Sequence, residues 1–114
     1  MTSASVRLVA TSDVQAEAWS RRAMPPVERV RDDVWAIPVP LDLPIRFTYA
    51  YLIDAADGAV LIDPGASSNA GEAALAAGFA TAGVALDRLR GIVVTHYHFD
   101  HWEAADELAA RIGA

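Results

Sequence analysis

The chain contains no cysteine. That absence excludes disulfides, thiolate metal sites, iron–sulfur clusters and a cysteine nucleophile. Lysine is absent as well, so all 9 basic residues are arginine, set against 15 acidic ones. A net charge of −6 leaves no broad basic face for a phosphate backbone and argues against nucleic acid as a partner. No apolar run approaches the roughly 20 residues of a membrane helix. The first 20 residues lack the continuous apolar stretch of a secretory signal, so the expected location is the cytoplasm. Of the 61 hydrophobic residues, 24 are alanine, which leaves 37 larger side chains in a chain of 114 residues. That supply suits one small domain with a modest core.

What is present divides into short elements. Ser12 with Gln15 three residues on resembles a capping box, and residues 13–22 read as a short helix ended by Pro25-Pro26. Residues 27–31 and 34–39 have the valine, tryptophan and isoleucine content of strands. Pro38 and Pro40 restrict the second of these to an edge strand or a strand end. Residues 49–53 and 59–62, joined through Asp54 to Gly58, read as a β-hairpin. Asp63-Pro64-Gly65 stops the second strand. Asn69, followed by Glu72, reads as the start of a helix that runs to about Ala82 with Leu75 and Phe79 on one face and Gly83 as its stop. Gly78 weakens this helix slightly. Residues 89–95 form an apolar strand, and residues 103–112 a helix with Ala104, Leu108 and Ile112 on one face and a Glu107–Arg111 pair on the other.

Strand, helix and strand over residues 59–95 imply two parallel strands with a right-handed crossover. Asp63 and His96 then stand just past the carboxyl ends of neighbouring parallel strands, on the edge where α/β ligand sites form. All three histidines of the chain fall within His96-Tyr97-His98-Phe99-Asp100-His101. With no thiolate available, imidazole and carboxylate are the standard zinc donors. His96 and His98 point the same way from an extended backbone, and Asp100 and His101 stand where the last helix starts. Two other readings stay open: packed structural histidines, and Asp100 spending one oxygen as the N-cap of that helix.

These residues resemble the His-x-His-x-Asp-His signature of the metallo-β-lactamase-fold hydrolases. Val60-Leu61-Ile62-Asp63-Pro64-Gly65 is similar to the strand and Asp-x-Gly turn of the same superfamily, and the hairpin beginning at Tyr49-Ala50-Tyr51-Leu52-Ile53 fits it. The resemblance covers about residues 27–114, with residues 1–26 as an N-terminal extension. It implies an α/β fold, the N-terminal half of an αββα sandwich, with a mixed sheet and helices on one face. It implies that His96 and His98 bind a first metal, and Asp100 and His101 a second. Asp63 then orients a ligating histidine from behind. Metal-bound hydroxide would attack an ester, thioester, lactone or lactam carbonyl, with Asp100 as the catalytic residue that holds it. The expected cofactor is zinc, one or two ions, with iron or manganese as alternatives.

Two features depart from the family. Trp102 and Glu103 stand where small residues are frequent; a packing aromatic and a solvated first-turn acid are the plain readings. The chain also stops thirteen residues after the motif, before the further histidines and bridging aspartate the family uses. The expectation is therefore a truncated front half, with one sheet face open as an apolar patch and enzymatic activity of the 114-residue chain left open. The competing function is a non-catalytic metal-binding or self-associating module using that face. The expected partner is a small-molecule substrate, with small acyl or thioester compounds preferred and no membrane involved. Arg46, in the stretch Pro44-Ile45-Arg46-Phe47-Thr48, reads a substrate carboxylate or simply leads into the hairpin.

Overall fold

Residues 10, 12–41, 46–95 and 104–112 are described by the structure, a computed structural model. Helix α1 (Asp13–Ser20) starts as expected: the Ser12 side chain accepts a hydrogen bond from the Gln15 N–H. It ends earlier than the proline pair. Arg22 takes a left-handed conformation at φ 50°. The Arg22 N–H donates to Trp19 O and the Ala23 N–H to Ala18 O, the paired closure of a Schellman motif.

Five strands form one sheet in sequence order: β1 (Glu28–Arg31), β2 (Val34–Pro40), β3 (Phe47–Ala55), β4 (Gly58–Ile62) and β5 (Leu89–Val93). The first four are antiparallel neighbours, and β4 and β5 are parallel. The hairpin is tighter than the sequence suggested, because Ala55 already pairs with Gly58. β2 lies between β1 and β3, yet the segment holding Pro38 and Pro40 is a local edge and strand end, as expected. The physical reason is the shortness of β1. Its partners on β2 are Val34, Trp35 and Ala36 only. From Ile37 onward one side of β2 is unpaired by β1, and Pro38 and Pro40 sit where no ladder N–H is needed on that side.

Helix α2 (Asn69–Ala82) crosses from β4 to β5 and ends at Gly83. It begins at Asn69 as expected, and its cap is Ser68, whose side chain accepts from the Gly71 N–H. A single turn at Leu86–Arg88 leads into β5. Helix α3 (Ala105–Ile112) follows. The core lies between the sheet and these two helices. Ile37, Val39, Ala50, Leu52, Ala59 and Leu61 from the strands meet Leu75 and Phe79 of α2, and Leu108 and Ile112 of α3 pack against the same cluster. The expected Glu107–Arg111 pair is not formed; both side chains reach across to α2 and the segment before it. Arg111 pairs with Glu72, and Glu107 accepts from Ser67 at 3.2 Å. The opposite sheet face carries Tyr49, Tyr51, Ile53, Val60 and Ile62, all partly exposed, and Val93 at 48% exposure. Phe47, Tyr49 and Tyr51 run along this face with ring centroids 5.3 and 5.9 Å apart.

Close approach of α2 to the sheet depends on a glycine. A Cβ placed on Gly78 would stand 2.7 Å from Cδ1 and Cγ2 of Ile37, a side chain with no exposed surface. Gly78→Ala is expected to destabilise the chain by about 1–3 kcal/mol through overpacking, even though alanine is the better helix former by about 1 kcal/mol. Urea unfolding measures this, and an unchanged or raised midpoint would show that the helix can move away without loss.

The tyrosine row gives a second expectation. Burial, then Tyr51, then Glu28 push the Tyr49 phenol from 10.0 up to about 12. Burial also raises Tyr51. Neutral phenol is thus favoured by the folded chain, so its stabilisation is complete below pH 10 and is lost as the pH rises towards 12. Stability should fall over that window, and Tyr49→Phe should flatten the fall when unfolding is followed as a function of pH.

Candidate metal-binding edge

The parallel pair places the site. Ile62 at the end of β4 stands beside Val93 at the end of β5. The Asp63 N–H continues the ladder by donating to Val93 O at 2.9 Å. There the chain turns, with Asp63 in the left-handed region at φ 53°, a conformation that aspartate tolerates better than most residues. The turn aims the carboxylate at the neighbouring strand end. Oδ1 accepts from the Thr95 N–H at 2.8 Å and Oδ2 accepts from the Thr95 hydroxyl at 2.6 Å. Asp63 is only 7% exposed, the one charged residue buried to that degree among the described residues. A buried carboxylate requires such donors, since without them its desolvation would be costly.

Gly65 completes the turn. Its φ is +95°, and a Cβ there would come within 2.7 Å of Val39 Cγ1. Only glycine meets both conditions without strain. The Gly65 carbonyl accepts from the Ala104 N–H at 3.0 Å, and the Ala104 carbonyl in turn accepts from the Leu108 N–H as α3 begins.

The structure therefore brings Asp63 to Thr95, the residue immediately before His96. The sequence-predicted ligands His96, His98, Asp100 and His101 lie outside the described residues, as do Trp102 and Glu103. Among the described residues no group of three histidine, aspartate or glutamate side chains could hold a metal ion. The donor set carried by residues 96–101, three imidazoles and one carboxylate with no thiolate in the chain, has the chemistry of a zinc-type divalent site. Arg46 donates to the Arg22 carbonyl at 3.0 Å, which ties the start of the hairpin back to the end of α1. Thr95 and Ala104 were not singled out from the sequence as site residues. The signal for Thr95 was present: a hydroxyl at the carboxyl end of a strand parallel to one that ends in aspartate. Ala104 acts through its backbone, which side-chain chemistry cannot reveal.

A mixed sheet backed by helices, with an Asp-x-Gly turn beside a clustered histidine segment, is an architecture shared with known proteins. The family model described as the metallo-beta-lactamase superfamily matches residues 43–114, and the chain belongs to that superfamily. Among solved structures it resembles a metallo-beta-lactamase family protein from Thermus thermophilus, with 24% identity, TM-score 0.67, and coverage of 72% of this chain and 27% of that one. It also resembles a beta-lactamase from Chitinophaga pinensis, with 20% identity, TM-score 0.64, and coverage of 96% and 36%. A class B3 di-zinc metallo-beta-lactamase from an Alaskan soil metagenome gives 18% identity, TM-score 0.64, and coverage of 94% and 35%. The chain thus spans about a third of the length of these structures or less. No curated protein matches it. No helix among the described residues is long and apolar enough to cross a membrane.

The Asp63 contacts set a stability expectation. Asp63→Ala removes two hydrogen bonds to a charged acceptor and puts alanine in a left-handed conformation, so a loss of about 2–4 kcal/mol is expected. Asp63→Asn should cost clearly less, because asparagine accepts the turn and its amide can still meet both groups of Thr95. Urea unfolding of the two variants checks the order; equal losses would mean that charge, not geometry, carries the turn.

Proposed function

We propose that this chain carries the front part of the metal site of a metallo-hydrolase that acts on a small substrate with an ester, thioester, lactone or lactam carbonyl, small acyl or thioester compounds being preferred. The observation that supports this most is the position of Thr95. The histidine segment begins one residue beyond it, at the carboxyl edge of a parallel strand pair, in a chain of the metallo-beta-lactamase superfamily. His96 and His98 would hold one divalent ion, and Asp100 and His101 a second. Zinc is the first choice and iron or manganese the alternatives. When bound, the metal supplies the Lewis acidity that makes water nucleophilic near neutral pH and polarises a carbonyl. Asp100 is the residue assigned to hold and orient the attacking water. Asp63 holds the strand end from which the first two imidazoles depart. The cytoplasm remains the proposed location.

Zinc retained per chain after gel filtration of the metal-loaded protein tests this reading. Near-stoichiometric zinc on a compact species is expected. His98→Ala should weaken zinc binding by more than the roughly 10–100-fold that loss of an outer partner causes. Hydrolysis of ester, thioester and lactam substrates by the loaded chain then separates a competent site from a purely binding one. A compact chain that retains no zinc would overturn the reading.

A further inference from the structure

We propose that the outer edge of β1 is a latent site for strand addition by a second copy of this chain, and that Arg29 and Arg31 hold it shut. The proposal is independent of the metal-site reading and concerns the other end of the sheet. β1 is the end strand, paired on one side only among the described residues. Such an edge presents backbone N–H and C=O groups that a further strand can pair with. Every copy of the chain carries the same edge, and two of them suit antiparallel pairing about a two-fold axis. There is room beside it, since Glu28, Arg29, Val30 and Arg31 wall an open cleft of about 370 Å³.

Three features close the edge. The register between β1 and β2 slips at Val30, which has no partner on β2 because Arg29 faces Trp35 and Arg31 faces Val34. A bulge of this kind bends the strand and spoils its match to a regular partner. The Val30 carbonyl accepts from Arg31 Nη1 at 2.7 Å. The Asp32 carbonyl, where the strand gives way to the turn, accepts from Arg29 Nε at 3.0 Å and Nη2 at 2.6 Å. Each arginine is thus folded back on the backbone of its own hairpin. An incoming strand must displace a charged donor before it can use either carbonyl, and charged donors hold an acceptor more strongly than the neutral N–H that would replace them. Both arginines are exposed, so neither serves the core. Two copies brought edge to edge would also gather the arginines of both along one seam, where like charges repel.

Arg29→Thr/Arg31→Thr tests this, since threonine suits a strand, carries no charge and is too short to reach either carbonyl. Sedimentation velocity over a concentration series gives the self-association constant of parent and variant. The dimer dissociation constant of the variant should fall about 10-fold below that of the parent. In the variant dimer, amide exchange should slow at residues 28–31 and stay unchanged at residues 58–62. Self-association equal to the parent's overturns the proposal. Stronger association without slowed exchange at residues 28–31 overturns it as well, because the contact then lies on another surface. Lysine keeps the charge without the forked donor, so Arg29→Lys/Arg31→Lys should also associate more strongly than the parent; a parent-like constant would overturn the role given to the two carbonyl contacts. If the double threonine variant fails to fold, Arg31→Thr alone takes its place, with the same results expected and the same results overturning it.

Discussion

A buried carboxylate joins two parallel strand ends beyond the reach of their own ladder. Asp63 leaves β4 in a left-handed conformation and spends both oxygens on Thr95 at the end of β5. Parallel strands exchange slanted bonds that end with the pairing, so nothing in the backbone alone fixes the direction of a chain leaving such an edge. Here a side chain does it. Burial makes the arrangement close to all-or-none, because a carboxylate removed from water cannot tolerate the loss of its donors.

The same turn governs the packing behind it. Gly65 can lie against Val39 only because it lacks a Cβ, and Gly71 of α2 lies above the same valine. Farther along, Gly78 sits on Ile37. Small residues along α2 thus let a helix of alanine and glycine approach the sheet until Leu75 and Phe79 reach the core. The alanine content of the chain has a mechanical meaning in this light. A helix that contributes only two large side chains to the core gains its burial by coming close.

Charge is distributed along the seam between α2 and α3 more than within either helix. Glu107 and Arg111 are spaced for an intrahelical pair, yet they meet Ser67 and Glu72 instead. Such half-exposed pairs contribute little energy individually. Their value lies in orientation, since they fix the rotation of α3 about its axis while Leu108 and Ile112 supply the burial.

The sequence by itself determined the element order, the hairpin, the parallel strand–helix–strand unit, the histidine cluster and the superfamily. Each is written in local pattern: alternation, caps, Asp-Gly turns and donor spacing act over a few residues. It also pointed to Asp63 as a residue at the carboxyl edge of the β4–β5 pair, because parallel strands put their carboxyl ends on one edge. It misplaced what depends on distant neighbours. The Glu107–Arg111 pair gave way to partners forty and thirty-nine residues away in sequence. Only the tertiary structure decided that Asp63 holds Thr95 and that Gly65 holds Ala104, for those bonds join groups brought together by the β4–β5 register and the docking of α3, and no local pattern encodes either.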